Sequence, residues 1–399
     1  MFAARKIAMD DRARKNGSTQ VDGSPFVVEF YSGAAALEDL KDVWTALDDA
    51  AQGRTTVFQS HAWNAQIANA LASGSTIGSI CTGLVRAGGE PIAILPLVVK
   101  EKRGVRVASW LGEPLLQYGD VVAGLGSVSS ETETLSSALY EGLINADVCD
   151  VLHLRSVRDD ALVKPFLQRY GKVAGRCRVA PTIDLNEFAS YEDYSKSLNA
   201  KSRKSRRRNR RKFAERGTLT VHIKPPKHFS DPIVQTAIDL KNLWLDRRGE
   251  TSRVFSDRSM TELFADLSNE LPNTVISSMT CDNVVAAVEI GFLHKNSYFS
   301  YLGAVNDDFT SFGPGALLLE DTISWAFDQG ATSFDFLAPE DPYKRSWARS
   351  EVSVDDYAVP LSARGAVYTT AVIEWGLPMA RAIWDQLPAS VRRSIVKSL

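Results

Sequence analysis

The sequence predicts an α+β protein built from two consecutive domains, and three observations lead to that prediction. Its 399 residues fit about two domains of ordinary size. Hydrophobic residues make up 44% and charged residues 24% of the chain, which is typical of a soluble globular protein with a substantial core. From Pro25 onward, strand-like and helix-like segments alternate in an order that occurs twice: strand, two helices, hairpin, third strand, helix, strand.

The first copy of this order predicts a domain over residues 25–185. Apolar residues that alternate or run together predict strands, and apolar residues three or four positions apart predict helices. Gly88 and Gly89 separate two such runs and predict the turn of a hairpin. The predicted elements are strands at 25–33, 77–87, 91–101, 106–124 and 149–157, and helices at 34–53, 60–74 and 130–146.

The second copy predicts a domain over residues 186–362. Its predicted elements are strands at 218–224, 274–280, 284–294, 296–305 and 332–338, and helices at 231–247, 258–270 and 314–330. The two halves share no residue-level identity, so the architecture repeats and the sequence does not. The polar, mixed-charge residues 1–24 predict a disordered leader rather than a signal peptide. Residues 363–399 predict a C-terminal helical segment.

The segment 197–217 holds ten lysines and arginines within twenty-one residues. Its non-basic residues Leu198, Ser202, Ser205, Asn209 and Phe213 recur at helical spacing, which predicts a helix docked by that face with its cations on the remaining arc. Three interpretations stay open: a solvated surface helix, a contact with an anionic ligand, and a contact with nucleic acid. The formal net charge of −2 argues against a general nucleic-acid binder. For an anionic ligand, we expect Arg203, Arg206 and Arg207 to make the contact.

A glycine-rich turn precedes the helix at 314–330. Gly313 and Gly315 flank Pro314, and the backbone N–H groups of Gly315 and Ala316 lie where a helix begins. Such N–H groups, together with the helix dipole, favour an anion. A plain structural turn is the alternative.

Two acidic residues in predicted strands are candidates for proton transfer. Asp335 alternates with Phe334 and Phe336, so its carboxylate should lie on the opposite face of the strand. Glu289 interrupts an otherwise apolar strand, where an acid must be paired or functional. In the first half, Tyr118 and Asp120 follow a Gly/Pro break and are candidates for lining an acceptor cleft between the domains. A Ser-His-Asp triad is not supported, because no G-x-S-x-G elbow occurs.

The order of elements around FGPGALL resembles the GNAT acyltransferase fold. The blocks FGPGALL and FDFLAPEDPYKRSW, with FQSHAW, LGEPLLQYGD and the basic helix, resemble the CelD-type branch, whose tandem GNAT domains are related to the Fem peptidyltransferases. The resemblance covers roughly residues 26–360. It implies two GNAT-like domains, each a mixed, mainly antiparallel sheet flanked by helices, with the first degenerate and on the acceptor side. It also implies an acyl-CoA-dependent acyltransferase that acts on an amine or hydroxyl in bacterial envelope or exopolysaccharide synthesis.

The resemblance also implies roles for individual residues. The turn at Gly313, Gly315 and Ala316 would bind the pyrophosphate of coenzyme A, although Thr310 stands where the family has Gln or Arg. Tyr343 would protonate the departing thiolate, and Lys344 would hold an anionic donor or stabilise negative charge. Further candidates are Tyr301 for the cofactor and Trp347 for the substrate.

Two other functions stay open on the sequence alone. One is a Fem-like ligase that uses aminoacyl-tRNA, and the other is a non-catalytic protein that binds a polyanion or nucleic acid through the basic helix. The acceptor could be a small molecule, a lipid or a glycan.

The four cysteines lie far apart without a zinc-like spacing, which predicts no metal site and no disulfide framework in a reducing, cytoplasmic compartment. Trp375, Trp384 and the basic ending of residues 365–399 have the composition of an interfacial membrane helix, which would place the protein at the inner face of the membrane. Pro378 and Pro388 divide the stretch, and this favours a helix packed on the protein instead.

Overall fold

A computed structural model describes most of the chain in atomic detail. The described residues are 14–20, 25–51, 55–73, 78–124, 132–175, 177–224, 232–250, 252, 254–387 and 391.

The first half contains nine strands and five helices within these residues. They are β1 (Arg14–Gln20), β2 (Phe26–Ser32), α1 (Ala35–Asp39), α2 (Lys41–Ala50), α3 (His61–Ser73), β3 (Ser79–Ala87), β4 (Glu90–Lys102), β5 (Val105–Trp110), β6 (Val122–Ala123), α4 (Thr132–Asn145), β7 (Val151–Arg158), α5 (Lys164–Tyr170), β8 (Lys172–Val173) and β9 (Arg178–Asp184).

The second half follows the predicted order closely. Its elements are α6 (Tyr191–Ser197), α7 (Ala200–Arg216), β10 (Leu219–Lys224), α8 (Ile233–Arg248), α9 (Arg258–Glu270), β11 (Thr274–Cys281), β12 (Val284–His294), β13 (Ser297–Val305), α10 (Pro314–Asp328), β14 (Ser333–Asp335), α11 (Pro342–Trp347) and β15 (Ser350–Pro360). A helical segment then consists of α12 (Ala363–Tyr368), a π-helical stretch (Thr369–Gly376) and α13 (Leu377–Gln386).

The strands of both halves form one continuous sheet. Its order is β1-β2-β3-β4-β5-β7-β15-β9-β14-β13-β12-β11-β10, with β6 beside β4 and β8 beside β15. Most neighbours are antiparallel, and the parallel pairs are β5 with β7 and β13 with β14. The predicted class, a mixed and mainly antiparallel sheet flanked by helices, is confirmed.

The middle of the sheet exchanges strands between the two halves. β9, from the end of the first half, pairs with β14 of the second half. β15, from the end of the second half, returns to pair with both β7 and β9. The strand pairing therefore does not divide at residue 185, because each half contributes a strand to the centre of the sheet.

One apolar core joins the two halves on one face of the sheet. Aromatic rings meet there edge to face: Phe58 contacts Trp63 and Phe299, with ring centroids 5.0 and 6.0 Å apart. The same cluster includes residues of α8 and α9. On the opposite face, α10 covers β11, β12 and β13 with Leu317, Leu318 and Ile323. We call these the α8 face and the α10 face.

The structure corrects part of the predicted leader. Arg14–Gln20, which we expected to be disordered, pair with the antiparallel strand β2. An edge strand exposes a row of backbone N–H and C=O groups that almost any sequence can bond. Composition alone does not reveal such a pairing. Residues 1–13 lie outside the described residues.

Helix α7 docks by a face that overlaps the predicted one and also includes two arginines. Asn199 caps its first turn by accepting from the N–H groups of Lys201 and Ser202. The side chains facing α10 and its turn include Arg206 and Arg210, and Phe213 stacks on Phe312 with ring centroids 4.7 Å apart. Phe213 was predicted on this face, whereas Arg206 and Arg210 were not; they join it because Glu320 and Asp321 of α10 pair with them.

The C-terminal segment is helical from Ala363 to Gln386, and Pro378 lies in the first turn of α13, where its missing N–H costs little. Pro388 lies outside the described residues. Ile373 is buried against the sheet, whereas Val367, Trp375, Met379 and Ile383 are exposed. In the described parts of the chain, no helix combines the length and the apolarity needed to cross a bilayer.

Candidate active site

Each half contains one pair of parallel strands that are joined by a helical crossover and separate along their length. We call each such separation a split, and a ligand could bind there. In the first half, β5 and β7 pair only at Val107–Val151 and Ala108–Leu152, with α4 between them in the chain. In the second half, β13 and β14 pair from Ser297 to Phe299, with α10 between them in the chain. Beyond these pairs the strands diverge, and backbone groups become available to a ligand.

The first-half split is filled by the protein itself. The Trp110 indole N–H donates to the Arg155 carbonyl at 3.0 Å, and the Gly119 N–H donates to the Ser156 carbonyl at 2.9 Å. Trp110 is 2% exposed. The acceptors that an extended ligand would use on β7 are therefore occupied.

Gly119 is essential to this closure, because a Cβ there would lie 1.9 Å from Trp110 Nε1. We expect Gly119→Ala to force the indole away from Arg155 and to lower the free energy of unfolding by about 1–3 kcal/mol, as overpacking a core does. Urea unfolding measures this change. Gly303→Ala is the matched control, since nothing lies within 4 Å of a Cβ at that position. Equal stability of the two variants would contradict the proposed closure.

The second-half split is open. β13 continues to Val305, six residues past its last pair with β14, and stays bonded to β12. The register against β12 jumps from Leu302 to Ser300, so Tyr301 is the extra residue of a β-bulge. Among the described residues, no hydrogen bond joins 300–305 to 336–344. This gap is the candidate active site.

Glu289 lies on the α10 face beside the gap. It is 4% exposed, accepts a hydrogen bond from the Tyr298 hydroxyl at 3.3 Å, and is also bonded by the hydroxyls of Ser300 and Thr322. Burial raises the pKa of its carboxyl to about 7, against the lowering effect of these hydroxyls. A carboxyl with such a pKa can take up a proton near neutral pH.

Helix α11 follows β14 in the chain and contacts β9. Tyr343 is 54% exposed as a whole residue, but its hydroxyl lies inward: burial and the negative charges of Glu289 and Asp341 raise its pKa above the ordinary value. Lys344 donates to the carbonyls of Leu337 and Pro339, both at 2.9 Å. Burial lowers the pKa of Lys344 to about 8. The charge of Glu289 thus acts on Tyr343, and Lys344 is bonded to the segment that follows β14.

The turn before α10 lies where the sequence predicts it, and Gly313 is left-handed at φ +63°. A Cβ on Gly315 would lie 2.8 Å from a methyl of Val305, so only glycine lets the turn sit this close to β13. The N–H groups of Ala316 and Leu317 donate back to the Gly313 carbonyl. Gly315 is therefore the first-turn amide best placed to meet a ligand, and Ala316 contributes less than predicted.

Asp335 lies on the α8 face, opposite its phenylalanine neighbours as predicted, but its contacts differ from those of a base. One oxygen accepts from the Tyr118 hydroxyl and the Leu337 N–H, both at 2.7 Å. The other accepts from Arg158 at 2.8 Å. We therefore assign Asp335 and the fully buried Tyr118 to holding the two halves together, rather than to proton transfer or a cleft wall.

Three more candidates occupy structural positions. The Tyr301 hydroxyl donates to the Leu115 carbonyl at 2.7 Å, and its ring stacks on Phe264 away from the α10 turn. Trp347 is 3% exposed beneath the Arg206 guanidinium, 4.2 Å from its ring centroid. Asp120 accepts from three backbone N–H groups, and burial raises its pKa to about 7. Asp120 was expected beside a cleft, Tyr301 at the cofactor and Trp347 at the substrate, but long-range packing gives each of them an internal partner.

The three arginines of α7 divide between two environments. Arg206 pairs with Glu320 at 2.8 Å and is largely buried, whereas Arg203 is partly buried and Arg207 is exposed. The outward arc also carries Lys201, Lys204, Arg208 and Arg211 beside a concavity of about 800 Å³. Arg207 remains a candidate contact for an anion, and Arg206 is already neutralised.

Sequence reasoning missed Lys241, which stands on α8 near Lys344. It follows Val234 and Ile238 and precedes Leu245 at the spacing of the buried stripe of α8. A lysine at a core-facing position was a signal that the sequence did contain. No group of three or more potential metal ligands occurs among the described residues.

Residues 200–345, which span α7 through most of α11, match the family model described as an acetyltransferase (GNAT) domain. This segment is similar to GNAT domains. It contains the open split, the α10 turn and Glu289. The domain family is one of acyltransferases. The narrower CelD-type assignment is not established by this match, and no curated protein matches the chain.

Solved structures resemble nearly the whole chain. FemX is 13% identical with a TM-score of 0.57, and the alignment covers 82% of this chain and 98% of FemX. The C-terminal domain of a putative lysylphosphatidylglycerol synthetase from Agrobacterium fabrum is 11% identical, with a TM-score of 0.49 and coverage of 85% and 98%. A tandem GNAT protein from the clavulanic acid biosynthesis pathway is 10% identical, with a TM-score of 0.47 and coverage of 84% and 99%. At such identity, the likeness to FemX shows a shared fold.

Proposed function

We propose that this protein is an acyl-CoA-dependent acyltransferase that uses the split in its GNAT domain and transfers the acyl group to an amine or hydroxyl. The observation that carries the proposal is the contrast between the two splits: Trp110 and Gly119 close the first, and the second stays open beside Glu289. We infer from this contrast that the donor binds in the second half and that the acceptor binds on a side formed with the first half.

The residues around the open split fit coenzyme A. The unpaired edge of β13 offers backbone groups to the amides of an extended pantetheine arm, and Gly303 leaves space beside it. Gly315 at the start of α10 offers an N–H and the helix dipole to a phosphate. Glu320 and Asp321, the acids on the adjoining turns of α10, are neutralised by Arg206 and Arg210. When bound, the thioester supplies the acyl group.

The chain's own residues supply the proton transfers. Glu289, with a pKa near neutrality, accepts a proton from the acceptor amine or hydroxyl, directly or through a water. Tyr343 keeps its proton at neutral pH because its pKa is raised, so it can donate that proton to the leaving sulfur. Lys344 is held by two carbonyls and offers positive charge at the mouth of the split.

The resemblance to CelD-type proteins supports an envelope-related acceptor: a polysaccharide, sugar or lipid precursor. Contact of residues 365–399 with the inner face of a membrane stays a prediction, and the exposed Val367, Trp375, Met379 and Ile383 support it. A ligase that uses aminoacyl-tRNA, or a nucleic-acid-binding protein, would rely on the outward cations of α7 instead.

Thermal unfolding separates these alternatives. We expect coenzyme A and acetyl-CoA to stabilise the protein, with a ligand at about 100 times its dissociation constant adding about 2.7 kcal/mol. Gly315→Val should abolish the stabilisation by displacing α10 from Val305, while Gly303→Ala should fold and retain at least part of it. A salt-sensitive rise in Tm with transfer RNA, and none with either CoA compound, would overturn the proposal.

A further inference from the structure

Lys241 breaks the apolar stripe by which α8 packs on the sheet. Val234, Ile238 and Leu245 of this stripe are buried against β12 and β13. Lys241 shares their face and is partly buried, and its Nζ lies 4.1 Å from the ring centroid of Trp244. Among the described residues, no carboxylate lies within 4.0 Å of this ammonium. The Trp244 ring attracts this ammonium but does not neutralise it, so the charge can still bind an anion.

Other charged groups near Lys241 leave the positive charge in excess. Burial lowers the pKa of Lys241. The charges of Asp341 and Glu250 raise this pKa, and the charge of Arg248 lowers it further. Glu250 is paired with Arg248 at 2.7 Å, so Asp341 is the nearby acid that has no ion pair among the described residues.

Lys344 adds a second positive charge to the same place. Its pKa is lowered by burial and by the charge of Lys241, and it is raised by Asp341, Asp335 and Glu340. Asp335 is neutralised by Arg158, and Glu340 lies 3.5 Å from Arg345. Leu337, whose carbonyl accepts from Lys344, belongs to the same apolar cluster as Val234 and Ile238 on the stripe of α8 that carries Lys241.

The two lysines flank the open split from the α8 face. Lys241 projects from the helix that covers β13, and Lys344 is bonded to the segment that follows β14. The α10 turn approaches the same strand from the opposite face. A group held between the lysines would therefore lie across the split from the turn proposed for the CoA phosphates.

We propose that Lys241 and Lys344 form an anion site on the α8 face of the split, and that the acyl acceptor carries a carboxylate or phosphate bound there. Trp244 holds the Lys241 ammonium over its ring, and Arg248 also contacts that ring, with its Cζ 4.7 Å from the centroid. The assignment to the acceptor rests on the proposed acyltransferase function, while the anion site itself does not.

Inorganic phosphate and acetate are the probes for this site. Tm is measured in sodium phosphate, sodium acetate and sodium chloride at matched ionic strength, with and without saturating coenzyme A. Wild type should show a Tm about 1–2 °C higher in phosphate or acetate than in chloride, and bound coenzyme A should leave this shift in place. A shift with phosphate alone indicates a phosphorylated acceptor, and a shift with acetate alone indicates a carboxylate.

Lys241→Met is the test variant because methionine has an unbranched side chain of similar length and carries no charge. We expect it to fold with a Tm at least equal to that of wild type and to lose the anion-dependent shift. Lys224→Met is the matched control: Lys224 is exposed at the end of β10, the last strand of the sheet order, and its loss should leave the shift unchanged. An equal shift in Lys241→Met and wild type, or no shift in wild type, would overturn the anion site.

The two proposals fail in different ways. No stabilisation by either CoA compound, with a Lys241-dependent anion shift, would remove the acyltransferase assignment and leave the anion site standing. Stabilisation by coenzyme A without an anion shift would remove the anion site alone.

Discussion

Glu289→Gln is expected to lower kcat by about 10²–10⁴-fold, which is the range that a general base contributes. The amide keeps the shape of the side chain and can still accept from the Tyr298 hydroxyl. It cannot take up the proton of the acceptor. In wild type, kcat/KM should rise with pH through about 7 as the carboxyl ionises. The variant should lack that limb of the profile.

Glu289→Gln should lower turnover, but it should raise the free energy of unfolding above neutral pH. Burial raises the pKa of Glu289 from 4.5 to about 7, so the native state binds this proton more tightly than the unfolded chain does. The free energy of unfolding therefore falls as pH rises from 4.5 to about 7. A shift of this size corresponds to about 3 kcal/mol. Glutamine removes this pH dependence, so above neutral pH the variant should have a higher free energy of unfolding than wild type.

Asp120→Asn provides the matched control for both measurements. Burial also raises the pKa of Asp120 to about 7, but its carboxylate accepts from backbone N–H groups in the first half, away from the split. This variant should change the pH dependence of urea unfolding and leave the pH–rate profile unchanged. Loss of the neutral limb in Asp120→Asn, or its persistence in Glu289→Gln, would remove Glu289 from the base role.

Arg158→Ala is expected to lower the free energy of unfolding by about 3–5 kcal/mol, because it leaves the Asp335 carboxylate buried without its partner. The pair joins β7 of the first half to β14 of the second, and the Tyr118 ring lies 4.9 Å from the guanidinium. Urea unfolding followed by circular dichroism measures the loss. Tyr118→Phe removes one hydrogen bond and should cost about 1–3 kcal/mol.

A double variant distinguishes an ion pair from a catalytic acid. Arg158→Met with Asp335→Leu replaces both charges by apolar side chains and should recover much of the stability lost in Arg158→Ala. If Asp335 serves structure alone, kcat in the double variant should stay within a few-fold of wild type. A double variant as stable as wild type but without turnover would return Asp335 to the catalytic role suggested by its sequence context.

Local patterns in the sequence determined the secondary structure of the second half and the character of its turn. The strand at 284–294, the helix at 258–270 and the start of α10 at Pro314 all lie where periodicity and Gly/Pro signals predict them. Glu289 was also visible, because an acid within an apolar strand is conspicuous. These features depend on residues within a few positions of one another, because such neighbours determine the local backbone conformation.

Only the tertiary structure decided which residues meet. Asp335 and Glu289 both interrupt apolar runs, but the chain brings Arg158 and Tyr118 to the first and hydroxyls alone to the second. The exchange of β9 and β15 creates the strand neighbours that make this difference. Trp110 closes the first-half split by donating to the Arg155 carbonyl, which lies 45 residues away in the chain. Contacts at such separations depend on the whole packing of the chain, so the sequence determined the elements of the site and their packing decided which of them can act.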